Sequence, residues 1–408
     1  MSLWSPAARD AYRARQMHKT PPQTTAPQRP PSAPPKPPAS TRFKDSFTPA
    51  PPRLADRARK PELNPAPVRD GYRQPRSASE LPPPGRGTGL LTINTANGAG
   101  DEYRDPANRQ AQADLIRDTG ASIVAFQEVD VNVDRSGNVN TALDIVARLE
   151  PSFAVFARGG APTVDIHAPA PGTAVRTGED GTTLYQTPEG TLVTGESFSG
   201  DDRGIAGDHG ADATYGNALY VAAPERVTEA YTLSLPSTTG EGALGAATPA
   251  ELAALADGPL TAEERARLGD NNEALRNRGG PEPRAALVTR VTGPDGQERT
   301  IINVHLASAD DPKLREAQLE YLAQVVAAES KGPPAREVVV MGDFNSSTAE
   351  VGAAFESVGL ERVVGGSKPG GANFDQVWTT AGLDTHDSAQ VDTEGVSDHK
   401  YAGYTVID

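Results

Sequence analysis

Four short apolar runs in this chain each stop on polar residues: "LLTIN" on Asn94, "IVAFQE" on Glu128, "TIINVH" on His305, and "VVVMGDFN" on Asp343 and Asn345. Runs of this length, rich in Val, Ile and Leu, read as strands covered by other elements on both faces. Such strands cannot stand at a surface. They hold the chain to a layered α/β (α+β) architecture.

The intervening segments say how the layers are made. "DPANRQAQADLIRDTG" has an Asp-Pro start, helical spacing of its apolar residues and a closing glycine, and "NTALDIVARLE" reads as a second helix followed by a strand "SFAVFAR". "DDPKLREAQLEYLAQVVAAES" again starts on Asp-Pro and places Leu314, Leu319, Leu322, Val325 and Val326 on one face. "RAALVTRV", the turn "TGPDGQE" and "RTIINVHLAS" read as a β-hairpin, and "TTLYQT" with "GTLVTGE" as a smaller one. "REVVVMGDFNSS", "FDQVWTT" and "KYAGYTVI" supply the last strands. Strands outnumber helices and hairpins are frequent. That favours two-directional, mixed sheets with helices outside over an all-parallel sheet.

Composition divides the chain in two. Residues 1–86 hold 20 of the 37 prolines and 16 Lys+Arg against 6 Asp+Glu, leaving 23 basic and 48 acidic residues for 87–408, a balance of −25. A segment such as "TPPQTTAPQRPPSAPPKPPAS" has too little apolar surface to offset the entropy of ordering. We read 1–86 as a disordered basic Pro-rich tail, a spacer whose Pro-x-x-Pro spacings could also dock a Pro-rich-motif-binding partner, and 87–408 as the folded domain. Irregular insertions are expected near 157–213 and 236–283, the second containing helical "TPAELAALA" and "TAEERARLGDNNEALRNRG". There are no cysteines, so no disulfide or thiolate chemistry is available. Neither a secretory apolar segment nor a membrane-length run is present, so a soluble protein is expected, cytoplasmic or exported without a classical signal peptide.

Polar residues gather at predicted strand ends: Asn94, Glu128, His305, Asp343 and Asn345, then Asp375 opening "DQVW" and Asp398 with His399 before the final strand. Singly, each has an ordinary structural explanation, as a turn cap, an Asx-turn or a core histidine. Together, carboxylates, amides and histidines at one edge would suit hard-metal chemistry, because Mg²⁺ takes oxygen ligands and keeps positions open for a phosphate. Glu128 is the leading metal ligand, with Asn94 or Asp398 beside it. Asp343 with Asn345 suits the alignment of a water, His399 oriented by Asp375 suits a phosphoryl oxygen or a proton transfer, and His305 a second acid or phosphate donor.

These residues resemble, in order, the motifs of the endonuclease/exonuclease/phosphatase superfamily with its DNase I-like fold: "LLTIN", "AFQEV", "NVHLAS", "MGDFN", "NFDQVW" and "VSDHKY", spread over residues 87–408. The resemblance implies a four-layered sandwich of two mixed β-sheets flanked by helices, and hydrolysis of a phosphoester with Mg²⁺ (or Mn²⁺). It also implies that Glu128 binds metal, that Asn94 and Asn345 position metal and phosphate, and that Asp375 pairs with His399. In "YGNALYV", Tyr215 and Asn217 match a substrate-side segment, and Arg284 of "EPRAAL" could meet a phosphate. The Ser-Arg pair frequent after that segment is replaced by "YVAAPERV", where Arg226 is the next cation along.

The first functional reading is a divalent-metal-dependent phosphodiesterase, a DNase-like endonuclease with nucleic acid as partner. The second is an inositol phosphate or phosphoinositide phosphatase or a sphingomyelinase-like phospholipase, and the third an inactive binding module. The acidic domain argues against tight nucleic-acid binding, although Arg265, Arg267, Arg276, Arg278 and Arg284 could form a local basic wall.

Overall fold

Each central strand buries alternate residues on opposite sides, which is why its sequence is apolar throughout rather than alternating. In the computed structural model, the described residues are 76–82, 85, 87–96, 106–137, 139–150, 173–178, 180–199, 213–237, 260–261, 263–264, 282–308, 310–331, 335–365, 374–393 and 395–408. All belong to one compact unit, Asn64–Asp408.

The strands are β1 (Thr88–Asn94), β2 (Ile123–Val131), β3 (Ala174–Thr177), β4 (Thr183–Gln186), β5 (Gly190–Ser199), β6 (Thr214–Ala222), β7 (Arg226–Ser234), β8 (Ala285–Thr292), β9 (Glu298–His305), β10 (Glu337–Asp343), β11 (Leu360–Gly365), β12 (Asp375–Thr380), β13 (Thr385–Asp392) and β14 (Tyr401–Ile407). The helices are α1 (Pro106–Thr119), α2 (Thr141–Leu149), α3 (Pro312–Glu329) and α4 (Thr348–Phe355). One eight-stranded sheet runs β13-β14-β1-β2-β6-β5-β4-β3 and one six-stranded sheet runs β11-β12-β10-β9-β8-β7. Each contains one parallel pair, β1 with β2 and β9 with β10, among antiparallel neighbours, so both sheets are mixed.

The apolar side chains sort into three layers. Leu90, Ile123, Ala125 and Leu219 of the first sheet pack with Leu287, Ile301, Val339 and Met341 of the second, forming the layer between the sheets. The intervening residues Leu91, Ile93, Val124 and Phe126 turn to α1 and α2, against Ile116, Ala142 and Ile145. On the far side, Ile302, Val304, Val338 and Val340 meet Leu319, Leu322, Val325, Val326 and Phe355 of α3 and α4. The result is the expected helix, sheet, sheet, helix sandwich. Asp311 caps α3, its carboxylate accepting from Leu314 N at 3.1 Å, and Pro312 opens the first turn, where a missing N–H costs nothing.

Both expected hairpins form, β8 with β9 and β4 with β5. The domain also begins before the compositional boundary at residue 87. Arg76 N donates to Gln390 O at 3.0 Å, and Ala78 and Leu81 are buried against the outer layer of the first sheet, so a few apolar residues inside a Pro-rich texture were enough to dock it. Residues 1–75, the strand "SFAVFAR" and nearly all of the helical segment 236–283 lie outside the described residues. So do Arg265, Arg267, Arg276 and Arg278. Among the described residues, no helix is long and apolar enough to cross a membrane.

Candidate active site

Register builds the site. In the second sheet Asp343 stands directly beside His305 on one side and Asp375 on the other, because β9 and β10 end together and the antiparallel β12 starts there. In the first sheet the parallel ladder of β1 with β2 stops where β1 ends, pairing Asn94 with Gln127 and leaving Glu128 next in line on β2, which runs on to Val131. The pairing of β2 with β6 slips between Phe126 and Val129, and Glu128 sits in that bulge at φ +58°. A bulge re-aims a side chain, and a non-glycine residue held at positive φ is a strain that the surrounding pairing must maintain.

The side chains then connect the two sheets. Asn94 Nδ2 donates to Glu128 Oε1 at 3.0 Å and to Asp343 Oδ2 at 3.1 Å, while its oxygen accepts from Ala96 N at 2.9 Å. Asp343 Oδ1 accepts from Asn345 N at 2.8 Å, and its Oδ2 lies 3.4 Å from His305 Nε2 and 3.6 Å from His399 Nε2. His399 Nδ1 is in hydrogen-bond contact with Asp375 Oδ2, and both residues are buried. Asp398 is exposed, yet its charge reaches Glu128, Asp375 and His399.

Electrostatics follow from this packing. Burial works against a charged His399, but Asp375, Asp343 and Asp398 outweigh it and raise the imidazole to about 10. Burial raises Asp375 to about 6, partly offset by His399, so the two form an ion pair at neutral pH. Burial would also raise Asp343, but His305, His399 and the Asn345 and Asn94 donors hold it below the usual carboxylate range. Glu128 is raised, first by burial and then, against the hydrogen bond from Asn94, by the charges of Asp343 and Asp398. With Asp375 paired to His399, Glu128, Asp343 and Asp398 share one edge that the two histidines and Arg284 compensate in part, and their oxygen donors fit a hard divalent cation. Among the described residues, no group of three or more acidic or His side chains is placed to hold an ion.

The substrate-side candidates are also near. The Tyr215 hydroxyl is raised by burial and by Glu128, and Arg284 acts on both Tyr215 and Glu128. Arg284 is buried, donates from Nη2 to Glu282 at 3.0 Å, and has Nε and Nη1 without hydrogen-bond partners. Asn217 donates to Ala285 O at 2.9 Å and leaves its buried Oδ1 unpartnered. Buried donors and acceptors are ordinarily completed by protein, by ordered water or by a ligand.

Asn345 Nδ2 donates to Leu306 O at 3.1 Å, which holds Asn345 in the turn directly after Asp343. One expectation changes. Arg226 pairs with Thr292, at the end of β7 and β8 opposite Ala285, and does not join Arg284. Three contributors went unseen in the sequence. Ser397 donates to Asn94 O at 2.7 Å and accepts from His399 N at 3.0 Å, tying the terminal loop to β1. Gln127 donates to Asn303 Oδ1 at 2.7 Å, and Asn303 donates to Phe126 O and Ala218 O at 2.9 and 2.8 Å, bridging the sheets beneath the site. The "QE" and "SDH" strings contained Gln127 and Ser397, but only register shows what they touch.

Two mixed sheets face to face, carrying acids, amides and a charged imidazole where their strands end, belong to the class of hydrolytic phosphoesterases. The chain is a member of the Endonuclease/Exonuclease/phosphatase family, whose model matches residues 91–399. Solved structures similar to it include humanized D. rerio TDP2 (14% identity, covering 79% of this chain and 99% of that one, TM-score 0.43), a family protein from Leptotrichia buccalis (13%, 79% and 99%, 0.48) and the catalytic domain of human Nocturnin (13%, 79% and 94%, 0.46). No curated protein matches the chain.

Proposed function

We propose that this protein is a divalent-metal-dependent phosphodiesterase acting on nucleic acid as an endonuclease. The observation that carries the reading is the Asp375–His399 ion pair facing an ionised Asp343, which Asn94 links to Glu128. Glu128 and Asp398 would hold Mg²⁺ or Mn²⁺, with Asn94 fixing Glu128. When bound, such an ion stabilises negative charge developing on a phosphoryl or leaving oxygen.

The protein's own groups divide the remaining tasks. Asp343, held ionised, is a weak base, so its part is to orient the attacking water through Oδ2 more than to take its proton unaided. His399 keeps its charge because Nδ1 faces Asp375, leaving Nε2 to donate to a phosphoryl oxygen. His305 Nε2, on the other side of Asp343, is placed for a second hydrogen bond to the same group. The unpartnered Arg284 donors and Asn217 Oδ1 would be satisfied by the rest of the substrate. A charged donor beside an ionised acid suits an ester whose departing alkoxide takes up a proton as its bond to phosphorus breaks.

Among the described residues Val175 is the one exposed large hydrophobic side chain, which supports a water-soluble substrate over a lipid. Tail residues 1–86 carry a local balance of +10 and could supply loose affinity for a polyanion that the acidic domain lacks. The test is a substrate panel with Mg²⁺ or Mn²⁺: supercoiled plasmid, RNA, inositol phosphates and sphingomyelin. Plasmid nicking is expected. Intact plasmid and RNA alongside cleavage of a phosphomonoester would overturn the nuclease reading.

A further inference from the structure

Arg135 is used by none of the steps above, yet it is held as few surface arginines are. It lies on the turn after β2, where Asn132 at φ +60° and a short helical turn, Asp134–Ser136, bend the chain back. Its Nε and Nη2 donate to Asp130 Oδ2 and Oδ1 at 2.8 and 2.6 Å, and Asp130 is fully buried. The guanidinium also lies over the Tyr215 ring, Cζ standing 5.2 Å from the centroid. One edge is thus fixed by a carboxylate fork and one face by an aromatic ring.

What remains is an open edge. The Arg135 side chain is 23% exposed, and among the described residues Nη1 makes no hydrogen bond. Tyr215 pairs with Asp130, two positions beyond Glu128 on β2, so the ring and the arginine stacked on it stand next to the hydrolytic centre, and the charge of Glu128 acts on both. Two residues along β6, Asn217 holds the carbonyl of Ala285, the neighbour of Arg284, so two arginines flank this part of β6, one with unpartnered buried donors and one with an edge outside its fork. A purely structural counter-ion for Asp130 would need the fork alone. Stacking on Tyr215 adds a fixed direction for Nη1, and a donor already immobilised loses little freedom on meeting an anion.

We propose that Arg135, stacked on Tyr215, is the receptor for a second phosphate of the substrate, next to the one hydrolysed. The assignment rests on the phosphodiesterase reading and narrows it, selecting a chain of successive phosphates over an ester with one. It makes Arg135 a substrate-positioning residue.

Binding of thymidine monophosphate and thymidine bisphosphate to the full-length protein with Mg²⁺, followed by titration calorimetry, tests this without relying on turnover. Wild type should prefer the bisphosphate by about tenfold, as one charge-assisted contact implies. Arg135→Gln should erase that preference. Because this leaves Asp130 buried without its counter-ion, the paired variant Asp130→Asn with Arg135→Gln removes both charges together and should behave the same way. Equal weakening of both nucleotides, with the ratio kept in the paired variant, would overturn the proposal, as would a wild type with no preference. Plasmid and RNA cleavage, measured in parallel, reports on the nuclease reading separately, so either can fail alone.

Discussion

Gly342 shows how narrowly single residues position this site. It precedes Asp343 at φ +144°, a region open to glycine, and a Cβ built there would lie 2.0 Å from Val304 O on the neighbouring strand. Asp343 reaches His305 because β9 and β10 approach this closely at their ends. Gly342→Ala should therefore destabilise the fold by about 3 kcal/mol, read from the denaturant midpoint, and lower activity with it. An unchanged midpoint would mean that the strands separate at little cost. The glycine was visible in "MGDFN" as a letter, but its reason was not, because the clash is with an atom 38 positions earlier in the chain. The same holds for Arg135, whose partners Asp130 and Tyr215 sit on different elements and form no recognisable string. Asn94, Glu128, His305, Asp343, Asp375 and His399 were legible because each stands at the edge of an apolar run, and that position recurs in the sequence itself.

Elements were legible in proportion to their burial. Central strands β1, β2, β9 and β10 stand out because both faces are covered and the whole run is apolar. Strand β13, "THDSAQVD", pairs along its length with β14 and bridges only the single residue Arg76 on its other side, is half-buried over its first residues, and has no apolar run to betray it. Strand β11 and helix α4 were likewise absent from the reading: α4 is eight residues long and too short to show a period, although its capping box of Ser347 and Glu350 was there to be found. Helix α2 carries its own test. Glu150 ends it with a buried carboxylate that accepts from Thr187 Oγ1 at 3.0 Å on the β4–β5 hairpin and leaves Oε1 unpartnered. Burial, against the Thr187 hydrogen bond and with the charge of Glu189, raises it to about 7. The folded state therefore holds this proton more tightly than the unfolded chain, so the stabilisation is complete below the ordinary glutamate range and is lost as pH rises through about 7. Thermal melting of Glu150→Gln against wild type should show little difference below the ordinary glutamate range and an advantage for the variant that grows as pH rises to about 7 and then levels off, on the order of 2 kcal/mol. An advantage independent of pH would remove ionisation as the cause.

At the scale of the whole molecule, a single arrangement explains why the functional residues are scattered from Asn94 to His399. Two sheets, each with one parallel pair, bring strand ends from both halves of the chain to a common edge, and Asn94 bridges them by donating to Glu128 of one sheet and Asp343 of the other. The central claim is that this bridged cluster hydrolyses phosphodiesters. The most direct measurement is the rate of bis(p-nitrophenyl) phosphate hydrolysis with Mg²⁺, with the ion chelated, and in Asp343→Ala and His399→Ala proteins whose melting curves show them folded. We expect turnover that disappears on chelation and falls by at least about a thousandfold in each variant. Hydrolysis at the wild-type rate in both folded variants would contradict the claim.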